Sequence, residues 1–244
     1  MAERPKVLVI IGTRPEGIKL APVVDALRRE EDRVETRVAL TGQHTDLLDP
    51  VLGLFALPIH WDLGIMREGQ DLFEVGRACL EGLQEVLSAY PADLVLVEGD
   101  TATVLFGALA AYFRRARVGH VEAGLRSGDK WRPYPEEVFR RMAAALADLH
   151  FAPTPGARRN LLAEGVPAER IYLTGNTVVD ALGARLVERT GFSACYVTGA
   201  GVANTQLGLP DVGLLSMAEI VEQVRRIADA TQLPVVADAD TGFG

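Results

Sequence analysis

The chain has 244 residues, 48% of them hydrophobic, and a formal net charge of −8. Its length and apolar content suit one or two domains with a sizeable core. The acidic balance argues against non-specific nucleic-acid binding and against an anionic membrane surface, yet it leaves room for a nucleotide ligand, whose phosphates are held by local groups rather than by net charge.

Met1 leads through a short charged stretch straight into an apolar run, without the architecture of a signal peptide. The longest apolar stretch, around 104–113, is far too short to span a bilayer. Short β-branched runs then alternate with amphipathic stretches. Strands are expected at 6–11, 34–41, 94–97, 118–121, 150–152 and 171–174. Helices are expected at 17–30, 45–55, 70–90, 101–113, 136–147 and 156–164, with a break at 133–135. The helix at 70–90 carries Leu72, Val75, Cys79, Leu83 and Val86 on one face. From residue 180 the alternation continues with a helix at 181–190, a strand at 194–197, a Gly-rich loop at 198–213, a helix at 216–230 and a strand at 235–237. Buried strands separated by helices predict an α/β fold with a parallel, doubly wound sheet. Cys79 and Cys195 stand in no metal or redox spacing, which points to a reduced, cytoplasmic setting.

In such sheets ligands sit beyond the carboxyl ends of the strands. Gly12-Thr13-Arg14-Pro15-Glu16 follow the first strand, with Lys19 one turn into the next helix. A helix N-terminus there offers free N–H groups to an anion, and Arg14 and Lys19 add positive charge. An ordinary strand–helix turn with proline near the first helical position fits the same residues, and the segment is not the GxGxxG dinucleotide fingerprint. Asp100 follows the strand at 94–97, where it also suits a helix N-cap. Glu122 follows the next strand, with Arg126 as a possible local ion-pair partner. Glu136 and Glu137 open a helix, where carboxylates suit the dipole, and Arg140 lies one turn on. Together Asp100, Glu122 and Glu136 put three carboxylates beyond neighbouring strand ends, facing one crevice. Clustered carboxylates raise one another's pKa and serve as general acids and bases.

The segments GTRPEGIKLAPV, TGQH, IMREGQDL, VEGDTATVL, GHVEAGLRSGD, YPEE with Arg140, HFAPT and TGNTVVDAL follow one another as in the non-hydrolysing UDP-N-acetylglucosamine 2-epimerases. Residues 1–182 resemble the N-terminal half of that family. The resemblance implies a Rossmann-like domain, the first of two in a GT-B arrangement with the active site in the cleft between them. It implies interconversion of UDP-N-acetylglucosamine and UDP-N-acetylmannosamine, a step toward bacterial cell-envelope polysaccharides. A base removes the C2 proton, UDP leaves from C1, the glycal is reprotonated from the other face, and UDP returns. No metal or organic cofactor is needed, and the parent family forms homodimers. By motif match Asp100, Glu122 and Glu136 are the acid–base carboxylates. Arg14, Lys19 and Arg140 help hold the anionic substrate or the departing UDP, and Gln43, His44 and Gln70 match a second, activating nucleotide-sugar site. Phe139 stands where a polar residue usually precedes the motif's arginine. The family's second domain supplies most UDP contacts and a catalytic histidine, and no residue in 183–244 matches it. The expectation for this chain alone is therefore no measurable epimerisation, with a non-catalytic nucleotide-sugar binding module as an alternative.

The segments DALGARLVERTGFSACYVTGAGVANTQLGLPDVGLLSM and PVVADADTGFG resemble the start of the isocitrate lyase/phosphoenolpyruvate mutase family. That resemblance implies an incomplete (β/α) barrel over 180–244, after a domain at 1–179. Thr198, Gly199, Ala200 and Gly201 match a loop that binds the substrate carboxylate, and Asp211 lies in the matching LPD motif. Asp238 and Asp240 match acids at an Mg²⁺ site; residues i and i+2 of a strand point to the same side and can share one hard cation. The two resemblances overlap at Asp180-Ala181-Leu182, which predicts a chimeric join there. The second functional alternative is accordingly an Mg²⁺-dependent carbon–carbon lyase or mutase.

Overall fold

The computed structural model describes residues 4–42, 57–65, 67, 69–175, 187–188, 191–202, 217–229 and 231–237. The helix expected at 45–55 lies outside these residues, as does all but 187–188, which are helical, of the one expected at 181–190.

Strand β1 (Lys6–Ile11) is followed by helix α1 (Arg14–Arg29), strands β2 (Glu35–Leu40) and β3 (Trp61–Asp62), and helix α2 (Leu72–Ala89). Then come β4 (Leu94–Glu98), α3 (Ala102–Phe113), β5 (Arg117–Val121), α4 (Glu136–Leu146), β6 (Leu149–Ala152), α5 (Pro155–Ala163) and β7 (Ile171–Leu173). These strands form one seven-stranded sheet in the order β3-β2-β1-β4-β5-β6-β7. Every pairing in it is parallel, as the alternation predicted. The two-residue β3 was not foreseen; it is too short to carry a period-2 signal.

Side-chain alternation divides β1 between two cores. Leu8 and Ile10 join Leu83, Val86, Val95, Val97, Val104 and Ala143 on one face, where α2, α3 and α4 pack. Val7, Val9 and Ile11 join Val38, Leu40, Leu96 and Leu20, Ala21 and Val24 of α1 on the other. Both faces are covered, so the strands read as continuous apolar runs. Helix α2 begins at a reciprocal cap: Glu74 donates its N–H to Asp71 (2.8 Å), and Asp71 donates its own to the Glu74 carboxylate (3.1 Å). Its buried stripe is Val75, Gly76, Cys79, Leu83, Val86 and Leu87. Leu72, expected on that stripe, is the first residue of the helix and is exposed.

The strand order reverses between β1 and β4: the chain runs outward through β2 and β3, then returns to the far side of β1. That reversal opens a crevice at the carboxyl ends of β1 and β4. Backbone passes closely there. A Cβ on Gly12 would lie 2.1 Å from the Thr103 hydroxyl, so only glycine fits.

Residues past 187 include a second parallel pair, β8 (Cys195–Val197) and β9 (Val235–Ala237), with Cys195 opposite Val235. Between them lie α6 (Gly199–Val202) and α7 (Met217–Ala228). Val197, Val202, Ile220 and Ile227 form a small core. The stretch expected as a loop from 198 thus begins with one helical turn.

Candidate active site

Helix α1 starts directly beyond β1, and its N-terminus is organised by Glu16. This buried carboxylate accepts hydrogen bonds from the N–H groups of Gly12 (2.5 Å) and Thr13 (3.4 Å) and from the Thr101 hydroxyl (2.7 Å). Glu16 therefore ties the turn after β1 to the turn after β4. Arg14, in the first helical turn, is exposed and makes no ion pair among the described residues. Lys19, one turn on, points inward. Its ammonium lies 2.8 Å from Glu122 and 3.0 Å from Glu98, both nearly buried. Burial alone would pull the Lys19 ammonium down; the two adjoining carboxylates outweigh it and push its pKa up.

Asp100 stands two residues past β4. The turn that carries it is clamped by β5. Gly99, at φ +83, donates its N–H to the Val121 carbonyl (3.1 Å), and its carbonyl accepts from His120 Nε2 (2.7 Å). The Asp100 carboxylate meets Arg140 at 2.7 Å. Withdrawal from water pushes the Asp100 carboxyl up, Arg140 opposes this, and the nearby Glu122 and Glu136 add to it. Glu122, just past β5, has φ +60, a left-handed conformation that is uncommon outside glycine. Strain of this kind concentrates at functional positions. Glu122 accepts from Lys19 (2.8 Å), and Arg126 is bidentate to Glu164 (2.8 and 2.7 Å).

Glu136 and Glu137 are neighbours in sequence with opposite environments. Glu137 is fully buried and accepts from the N–H groups of Ser127 (3.0 Å) and Gly128 (3.4 Å), so it fastens the loop after β5. Glu136 keeps one carboxylate oxygen, Oε2, buried and without a hydrogen-bond partner among the described residues. Arg140 is likewise buried and has one free terminal nitrogen, Nη1. Asp100, Glu122, Glu136, Lys19 and Arg140 therefore lie near one another beyond the ends of β4 and β5: an excess of acid, two internal cations, and, among the described residues, a donor on Arg140 and an acceptor on Glu136 without hydrogen-bond partners. Such an arrangement can bind an anion and exchange protons with it.

Among the other candidates, Gln70 is engaged in its own loop. It donates to the Ile65 carbonyl (3.1 Å) and accepts from the Arg67 N–H (2.5 Å). Gln43, His44, Asp211, Asp238 and Asp240 lie outside the described residues. Thr198 to Gly201 enter the α6 turn, where Val202 N–H bonds the Thr198 carbonyl (3.1 Å). Among the described residues there is no group of three or more His, Cys, Asp or Glu positioned to hold a metal. Sequence reasoning missed Glu16, Glu98, Glu137 and His120 as parts of the site. Glu98 was the one within reach, since it is the last residue of β4 and adjoins Gly99-Asp100.

The family model described as UDP-N-acetylglucosamine 2-epimerase matches residues 25–207. The UDP-N-acetylglucosamine 2-epimerase of Yersinia pestis is 53% identical over 177 residues, covering 72% of this chain and 47% of the relative. The Escherichia coli (strain K12) protein of that description is 51% identical over the same length and coverage. The chain thus spans about half the length of these curated relatives. Among solved structures, the Neisseria meningitidis UDP-GlcNAc 2-epimerase bound to UDP-GlcNAc superposes with a TM-score of 0.70 at 31% identity, over 96% of this chain and 72% of that one. The match at 25–207 runs through 180–182 and takes in 198–201, and gives no support to a change of family at that point.

Proposed function

The chain belongs to the UDP-N-acetylglucosamine 2-epimerase family, and on that premise we propose that it forms the acid–base half of an enzyme interconverting UDP-N-acetylglucosamine and UDP-N-acetylmannosamine. The observation that carries this reading is the set of three carboxylates at the switch point, Asp100, Glu122 and Glu136, each in a different environment. Asp100 is set against Arg140, Glu122 against Lys19, and Glu136 has a free oxygen. Epimerisation at C2 needs a proton removed from one face of the sugar and delivered to the other. Carboxyl groups set in different surroundings are suited to divide those tasks. Arg140, with a free nitrogen, and exposed Arg14 are the proposed holders of the diphosphate. Lys19 acts in this reading mainly by fixing the position of the Glu122 carboxylate, 2.8 Å away. The chemistry calls for no metal or organic cofactor.

The substrate class is supported by the relatives whose structures contain it, such as the Neisseria meningitidis enzyme with UDP-GlcNAc. No described helix is long and apolar enough to cross a membrane. A cytoplasmic homodimer is the proposed setting, with Cys79 and Cys195 as free thiols. For the region after 179 we propose a separate small βα unit. A lyase-like role with Mg²⁺ at Asp238 and Asp240 has no described observation in its favour.

The test is a fusion of residues 1–175 to the C-terminal half of the Escherichia coli relative. Incubated with UDP-N-acetylglucosamine in D₂O, it should yield the manno epimer with deuterium at C2 of recovered sugar. A folded fusion that binds UDP but exchanges no C2 proton would overturn the proposal.

A further inference from the structure

Asp100 follows the most permissive joint in the backbone of the site. The residue before it, Gly99, holds φ +83, a conformation open mainly to glycine. A glycine there leaves the peptide plane ahead of Asp100 free to turn unless a partner outside the turn holds it. Both polar groups of Gly99 have such a partner in β5. Its N–H donates to the Val121 carbonyl (3.1 Å), and its carbonyl accepts from His120 Nε2 (2.7 Å). The two bonds act on different peptides. The Val121 bond holds the peptide before Gly99, and the two soft torsions of the glycine lie between it and Asp100. The Gly99 carbonyl instead belongs to the planar unit that contains the Asp100 nitrogen. Holding that carbonyl fixes where the Asp100 Cα lies and narrows the directions its side chain can take. We propose that His120 is a positioning residue for Asp100: its imidazole N–H locks the Gly99–Asp100 peptide so that the Asp100 carboxylate stays against Arg140. This inference rests on the epimerase reading only for the task assigned to Asp100.

The chemistry of the ring suits the task. A carbonyl oxygen only accepts, so the bond places the proton on Nε2 and a lone pair on Nδ1. Nδ1 is buried without a hydrogen-bond partner among the described residues. The ring is completely buried, and burial lowers its pKa to about 4. At neutral pH it is therefore a donor without charge, which adds no cation beside Asp100 and Arg140. Strand pairing sets its place, since His120 lies opposite Val97 in the β4–β5 register, two residues before Gly99. On the other side of Asp100, the Thr101 hydroxyl donates to Glu16 of α1 (2.7 Å). Asp100 is thus held through both chain neighbours, and its own carboxylate meets Arg140 Nη2 at 2.7 Å. Removing the imidazole donor would leave the Gly99 carbonyl without this bond and return the peptide to the freedom of its glycine.

The experiment is NMR on the full 244-residue chain, without substrate, in wild type, His120→Gln and His120→Leu. The ¹⁵N shifts of the His120 ring give its tautomer, and hydrogen exchange is followed at the Gly99 N–H and at the Arg140 guanidinium. In wild type at neutral pH the ring proton should sit on Nε2. Leucine fills the space but donates nothing, so the Gly99 and Arg140 protons should exchange about tenfold faster, while the amides of β1 and β2 keep their wild-type rates. Glutamine can still donate toward Gly99 and should hold both rates near wild type. A wild-type proton on Nδ1 would overturn the proposal. So would a His120→Leu protein in which Gly99 and Arg140 exchange as before, or one in which protection falls equally across the sheet, since His120 would then serve packing alone. A glutamine variant as loose as the leucine one would count against it in the same way. Should His120→Leu fail to fold, the wild-type tautomer and the His120→Gln rates decide. No UDP-sugar enters the measurement, so its failure is distinct from failure of C2 exchange in the fusion protein.

Discussion

The two parallel sheets of this chain obey the same local rules and reach different ends. In the seven-stranded sheet, Leu8, Val9, Ile10 and Ile11 of β1 are completely buried, and helices cover both faces. The β8–β9 pair has the same β-branched composition, yet Tyr196 and Val236 are more than half exposed. A covered sheet creates dry strand ends, and there a carboxylate can be held away from water and have its acidity set by a neighbouring cation. A two-stranded pair has too little covered surface to do this. Every shifted carboxyl group at the candidate site, Glu16, Glu98 and Asp100, belongs to the first region.

The strongest way to break this comparison is to ask whether chemistry travels with the seven-stranded sheet alone. In the fusion built on residues 1–175, Asp100→Asn and Glu122→Gln should each lower kcat by about 10²–10⁴-fold, the span typical of a lost general acid or base, with KM changing little. Steady-state kinetics of epimerisation checks this. An equal rise in KM would instead mark the two residues as binding groups.

Core substitutions come next. Leu83→Ala removes a fully buried side chain packed between α2 and the sheet, and should destabilise the chain by about 2–5 kcal/mol. Urea denaturation followed by circular dichroism measures it. The matched truncation in the other region, Val236→Ala at a half-exposed position, should stay within about 0.5 kcal/mol. Similar losses at both sites would mean that β8–β9 is as well covered as the larger sheet.

His120 sharpens the comparison through pH. It is fully buried, and burial holds it neutral, with its pKa lowered from 6.5 to about 4; the bond to the Gly99 carbonyl and the nearby His150 are smaller influences. Below pH 6.5 the unfolded chain binds a proton that the folded chain refuses, so stability present at neutral pH drains away as pH falls toward 4. The loss from this one group is about 3 kcal/mol at most. His120→Gln, whose amide can still donate toward Gly99, should flatten that part of the stability profile. An unchanged profile would place the acid sensitivity elsewhere, with His150 the next group to examine.

Much of the architecture was legible because it is local. Alternating apolar runs and amphipathic stretches located six of the seven strands of the main sheet. Pro15 suits a place near the first position of the helix expected from 17, and α1 begins three residues earlier, at Arg14. The positions of Asp100 and Glu122 just past strand ends followed from the same pattern. What stayed hidden depends on residues far apart in sequence. Nothing in the pair Glu136-Glu137 distinguishes an acid with a free oxygen from one locked onto Ser127 and Gly128.

Sequence alone thus determined the kind of sheet, the order of its elements and the strand ends where polar groups collect, because hydrophobic periodicity and capping act over a few residues. The tertiary structure decided which charges meet. Lys19 looked like a ligand for an external anion, yet folding carries it across 103 positions to Glu122 and 79 to Glu98. His120 looked like an ordinary strand residue until β4 and β5 paired and set its ring against the Gly99 carbonyl. Charge and hydrogen-bond complementarity act through space, so their outcome waits on the packing that brings the partners together.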